Sequence, residues 1–136
     1  MTLVEFICNR HRLDLSYEIG EFRKAKPDID YFRAMVKTAY ESFGTTEKEL
    51  LSVTRKREIV MQRHTIMYFL YKTQRFSLVS IGKMFNREHS TTIHAIEKVE
   101  CFLSYNDKQF LYYYTPLKRC FDNLNTIDLS VNIVNN

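Results

Sequence analysis

The densest chemistry in the chain lies at 85–95, FNREHSTTIHA, where Arg87, Glu88, His89, Ser90, Thr91, Thr92 and His94 crowd around three apolar side chains. Two kinds of chemistry suit such a set. Glu88, His89 and His94 could activate a metal-bound water, but no second acidic or Cys/His cluster converges on them in sequence. The other kind is recognition. Ser and Thr both donate and accept hydrogen bonds, and a Thr methyl can meet a thymine methyl. A helix entering the major groove offers its first turn to base edges and its backbone N–H groups to phosphate. Helix capping alone accounts for Ser90 and Thr91. It does not account for His94 and Lys98 continuing the same face.

The elements needed to hold that face are legible around it. At about 100° per residue, Ile93, Ile96, Val99 and Leu103 cluster on one side of a helix from about Ser90 to Leu103. Ser90, Thr91, His94 and Lys98 cluster opposite, and Thr92 falls near the edge of the apolar stripe, where packing would be its role. Upstream, Ser77 can cap a helix with Leu78, Ile81 and Phe85 on one face, and Gly82 permits close approach of a neighbour. Joined by NREH, the two form a helix-turn-helix candidate.

Further back, IVMQRHTIMYFLYKT is apolar on most sides, which predicts a long central helix with Ile59, Ile66 and Leu70 in the core. The basic link TRKRE precedes it. Thr46 and Glu49 have capping-box spacing for a short helix. Phe32, Met35, Val36, Ala39 and Phe43 share one helical face that Gly44 closes. Pro27 and Asp28 suit the start of that helix, with Asp30 favouring its positive end. Residues 107–121 suggest one or two further helices, with Pro116 among them, and 125–136 read either as a loose tail or, from their alternation, as a strand. Residues 1–27 show no winning pattern.

Composition removes several function classes. A length of 136 residues with 45% apolar content fits one domain with extensions. The glycines are Gly20, Gly44 and Gly82, too scattered for a phosphate-cradling loop or a dinucleotide fingerprint, so neither ATPase activity nor a nucleotide cofactor is expected. Cys8, Cys101 and Cys120 make no CxxC pair, and Cys8 with His11 lacks the second pair that a zinc site needs. No run is apolar and long enough to cross a membrane, and a cytoplasmic protein without metal or other cofactor is the expectation. The net charge of +4 is uneven: residues 54–94 carry eight basic and two acidic side chains, a local +6. A focused positive block is the footprint of a polyanion partner.

FNREHSTTIHAIEKVE resembles the signature of the C-terminal DNA-binding domain of the bacterial replication initiator DnaA. The likeness runs back through SLVSIGKMF, RKREIVMQRHTIMYFLYK and AYESFGTTEKELLS, and covers about residues 32–105. The resemblance implies an all-α, Trp-repressor-like helical bundle with a helix-turn-helix that binds a short double-stranded DNA box. Residues 1–30 and 106–136 would flank it as extensions, open to a protein partner or to self-association. By the same resemblance Arg55 enters the minor groove from a basic arm that includes Lys56 and Arg57. Arg63, at the turn into the long helix, touches base or backbone, and His64, where the family usually has Gln, and Arg87, in the turn before the second helix, join the DNA-binding set. Glu88, His89, Ser90, Thr91, Thr92 and His94 occupy base-reading positions, and Lys98 meets a phosphate. Where the family usually has two glycines after Phe85, this chain has the single Asn86, which tolerates left-handed backbone. The competing reading is an interaction or structural module of a phage or replisome that keeps the fold without reading sequence.

Overall fold

Asp30 starts the described structure as an N-cap, its carboxylate accepting the Arg33 N–H at 3.0 Å. The computed structural model describes residues 30–134, with side chains to residue 127. The Pro27–Asp28 start, the Cys8–His11 pair and the pattern-poor 1–27 lie outside the described residues.

Six helices follow in order: α1 (Tyr31–Phe43), α2 (Glu47–Leu51), α3 (Arg57–Lys72), α4 (Leu78–Met84), α5 (His89–Tyr105) and α6 (Lys108–Val134). Their boundaries follow local chemistry. Gly44 closes α1 at φ 71°, a left-handed conformation with no Cβ penalty for glycine. Thr46 and Glu49 form the reciprocal capping box of α2, and Ser77 caps α4 through the Ser80 N–H. The protein is an all-α helix-turn-helix bundle, as its sequence predicts.

The core is built around α3, which is buried on nearly every side from Ile59 to Leu70. Ile66, Met67 and Leu70 are fully enclosed. Helix α5 packs its Ala95, Ile96 and Val99 side on α3 and α4. Ile93 and Leu103 complete that side as partly buried contacts of the core. Helix α6 covers α1 and α3. Phe110 and Leu117 are buried, Phe121 stacks on Phe69 at 4.9 Å, and Tyr31 donates to Asn125 at 3.3 Å. Each such apolar side chain contributes about 1.5–3 kcal/mol by leaving water.

The segment after 107 differs from expectation. It forms one helix rather than two, with Pro116 inside it, and the 125–136 stretch is helical through Val134 rather than loose or a strand. Burial of Phe110 and Leu117 on either side of Pro116 outweighs the hydrogen bond that proline removes. The alternation at Ile127, Leu129, Val131 and Ile133 meets no strand among the described residues, and adding residues to an existing helix needs no new nucleus.

Gly82 fixes how α5 leaves the turn. Its carbonyl accepts both the Phe85 N–H at 3.0 Å and the Arg87 N–H at 2.8 Å. A Cβ there would sit 2.6 Å from the Arg87 carbonyl oxygen and 3.1 Å from that of Glu88. Gly82→Ala therefore destabilises the fold by about 1–3 kcal/mol, because the clash with backbone exceeds the roughly 1 kcal/mol gained in helix propensity. Chemical denaturation checks this, and an unchanged or raised midpoint would contradict it.

Candidate nucleic-acid interface

Helices α4 and α5 meet through the turn 85–88, where Asn86 takes φ 56°. That left-handed residue does in one position what the shortened turn requires, since Asn adopts the conformation more readily than most residues. The N-cap of α5 is Glu88, whose side chain makes no capping hydrogen bond. No acidic residue stands in its first turn, so the positive end of a 17-residue helix is not neutralised from within that turn.

The polar side of α5 is accessible as its pattern predicts. Glu88, His89, Ser90, His94 and Lys98 are exposed, and Thr91 is partly so. His64 joins them from α3, with its ring 6.2 Å from that of His94 at near right angles. Burial, then the nearby His94, Arg63, Lys98 and Arg87, push the His64 imidazole down to about 4. At neutral pH it is an uncharged donor and acceptor. Folded His64 resists a proton that the unfolded chain accepts near pH 6.5, so stability is full above that pH and falls as pH drops towards 4. His64→Gln should flatten thermal stability across that window, as melting curves at stepped pH would reveal. A wild-type profile retained in the variant would remove His64 as the cause.

Thr92 corrects an expectation. It is 0% exposed and its Oγ1 has no hydrogen-bond partner, so it packs inside and is not on the outward face of α5. The helical wheel had placed it at the edge of the stripe, whereas the family resemblance placed it in the groove. Thr92→Val keeps the shape and removes an unpaired hydroxyl. It should stabilise the fold by about 1 kcal/mol and leave any DNA preference intact. Loss of that preference with unchanged stability would restore Thr92 as a reader.

Arg63 is the larger correction. It lies midway along α3 rather than at its entrance, is 4% exposed, and points inward. Its Nε donates to the Leu50 carbonyl at 2.7 Å and its Nη2 to the Ser52 carbonyl at 3.0 Å, with longer contacts of 3.4 Å to Glu49 and Thr54. Those carbonyls end α2 and begin the basic link, so the guanidinium serves as the C-terminal cap of α2. Burial, with Arg87 nearby, lowers its pKa to about 10, which leaves it charged at neutral pH. An inward Arg has one signal in sequence, its place amid the apolar run IVMQRHTIMYFLY.

The basic link itself is an ordered arm. Ser52 Oγ accepts the Thr54 N–H and Thr54 Oγ1 accepts the Lys56 N–H, both at 3.3 Å, a pair of short side-chain turns. Val53 is 90% exposed, and Arg55 and Lys56 are exposed with it. Arg57 diverges: its Nε donates to Gln109 at 3.0 Å and its guanidinium lies 5.9 Å over the Phe102 ring. Phe102 is 13 residues along α5 from His89, roughly 20 Å at 1.5 Å per residue, so Arg57 stands at the far end of that helix. Arg87 donates to the Phe85 and Ser52 carbonyls, each at 2.6 Å. The local positive block thus overstates the free cations, because Arg63 and Arg87 are bonded to backbone.

Among the described residues no group of three or more His, Cys, Asp or Glu side chains could hold a metal, and no helix is long and apolar enough to cross a membrane.

Comparison with known proteins agrees with this geometry. The family model described as the bacterial DnaA protein helix-turn-helix matches residues 33–99. The chromosomal replication initiator DnaA of Oleidesulfovibrio alaskensis is 38% identical over 91 residues, 65% of this chain and 19% of the relative. That of Kosmotoga olearia is 33% identical over 104 residues, 72% of this chain and 23% of the relative. That of Lachnoclostridium phytofermentans is 40% identical over 67 residues, 48% of this chain and 15% of the relative. The chain spans about a fifth of the length of such relatives. No solved structure matches it. With α4, the turn and most of α5 all inside the matched span, residues 33–99 form a domain like the bacterial DnaA helix-turn-helix.

Proposed function

We propose that the chain binds a short double-stranded DNA box in a sequence-specific way, in replication control and without chemistry of its own. The observation that carries this reading is the two-sided α5. Its Ala95–Ile96–Val99 side is buried while Ser90, His94 and Lys98 stand exposed on the other, beyond an uncapped N-terminus. The relatives' printed name, chromosomal replication initiator, supports the replication setting.

In this mechanism the first turn of α5 enters the major groove. Ser90, Thr91, His89 and His94 meet base edges, each good contact contributing about 1–3 kcal/mol of discrimination. Lys98 and the backbone N–H groups of the first turn hold phosphate, while Arg55 and Lys56 reach from the arm to the adjacent backbone or minor groove. These charge contacts supply the salt-sensitive share of affinity. Neutral His64 supports His94 without adding repulsion.

Fluorescence anisotropy against a DnaA-type box and a scrambled duplex, at two salt concentrations, tests the proposal. Preference for the box at both, with weaker binding at higher salt, is expected. Equal affinity for both duplexes at either salt would refute base reading.

A further inference from the structure

The carbonyl of Ser52, at the root of the arm, receives two guanidinium groups. Arg87 Nη2 approaches it at 2.6 Å and Arg63 Nη2 at 3.0 Å. Arg63 reaches it from the central helix. Arg87 reaches it from the turn before α5, 35 residues away in sequence. The other end of the Arg87 fork donates to Phe85 within that turn at 2.6 Å, and its backbone N–H is held by Gly82 at 2.8 Å. Arg87 therefore spans the gap between the turn and the arm with both ends bonded.

Bringing two cations onto one oxygen is unfavourable in itself: burial first, and then the nearby Arg87, lower the pKa of Arg63. Arg63 alone already ties the arm root to the core through Leu50 and Ser52. What Arg87 adds is a direct link from the arm to the start of α5. The arm cations Arg55 and Lys56 lie three and four residues beyond Ser52, and α5 starts two residues beyond Arg87. A duplex touched by both the arm and the helix constrains their separation, and fixing it beforehand removes an ordering cost from binding.

We propose that Arg87 is a positioning residue: it sets the placement of the basic arm relative to the recognition helix by clasping the Ser52 and Phe85 carbonyls, rather than by touching DNA. The assignment rests on the DNA-binding reading above. A planar fork gives each carbonyl its own nitrogen in a fixed geometry, which the single nitrogen of lysine, three donors on a flexible stem, does not reproduce. Phosphate, by contrast, accepts lysine as a point charge.

The test uses the full chain, with Arg87→Ala and Arg87→Lys each made in the parent and in an arm-neutral Arg55→Ala/Lys56→Ala background. Binding of box and scrambled duplexes is measured at two salt concentrations, and circular dichroism with melting checks the fold of every variant. In the parent, both Arg87 variants should lose box affinity by roughly tenfold, the scale of one good contact. In the arm-neutral background the same substitutions should change affinity by less than about twofold, since the element they position is already silent. Trypsin cleavage within 55–57 without DNA should quicken in Arg87→Lys. If Arg87→Ala does not fold, Arg87→Lys carries the same expectations.

A tenfold loss persisting in the arm-neutral background, with the salt slope reduced by about one phosphate, would make Arg87 a direct contact and overturn the proposal. So would parental affinity in Arg87→Lys, or unchanged trypsin cleavage. A parent chain without DNA affinity would instead refute the DNA-binding reading, while the cleavage rate would still report on the clasp.

Discussion

Arg63→Ala should lower the unfolding free energy by about 3 kcal/mol, the scale expected when one partner of a buried charged network is removed. The side chain is enclosed by backbone oxygens, with the Leu50 carbonyl at 2.7 Å and the Ser52 carbonyl at 3.0 Å as its closest partners. Removing it leaves the end of α2 and the root of the arm with acceptors facing a space where a cation stood. Each unsatisfied buried acceptor costs about 1–3 kcal/mol, partly relieved where the arm can turn to water. Against a domain stability of roughly 5–15 kcal/mol that is a large fraction. The melting temperature should fall by more than about 10 °C, given 4–8 °C per kcal/mol at this domain size. Arg63→Lys should recover only part of the loss, because one ammonium replaces a fork that spans several carbonyls. Urea titration with circular dichroism measures both variants. A fully stable Arg63→Ala with weakened DNA binding would return Arg63 to the groove and sink the capping role.

The second large effect concerns the readers. Thr91→Ala combined with His94→Ala should weaken binding to a preferred box by about 100-fold or more, from two contacts of about 1–3 kcal/mol each. Binding to random duplex should change little, because the phosphate contacts fall to Lys98, the arm cations and the backbone N–H groups of the first turn. His94 is exposed and Thr91 partly so, and neither belongs to the hydrophobic core, so their removal leaves its residues in place. Titration of box and random duplexes side by side decides the matter. Parallel losses on the two would show that charge, not base contact, governs the interaction.

Most of the fold was legible in the chain because its signals are local. Gly44, the Thr46–Glu49 box and Ser77 each end or begin a helix through hydrogen bonds within a few residues, and each appears where predicted. The alternation of apolar and polar sides on α5 also follows from 3.6-residue periodicity alone. The end of the chain was less legible. Its helix beyond Pro116 depends on packing against α1 and α3, which periodicity over a short window does not encode.

By itself, then, the sequence determined the helical class, the helix-turn-helix, and an outward row of Ser90, His94 and Lys98. Only the tertiary structure decided which arginines remain free for a partner. Composition counts Arg55, Arg63 and Arg87 as equal charges, yet Arg63 is buried among carbonyls and Arg87 is clasped to Ser52, while Arg55 stands in solvent. The reason is that a guanidinium's role depends on which backbone acceptors the fold brings within 3 Å of it. Those acceptors lie up to 35 residues away, beyond the reach of any local pattern.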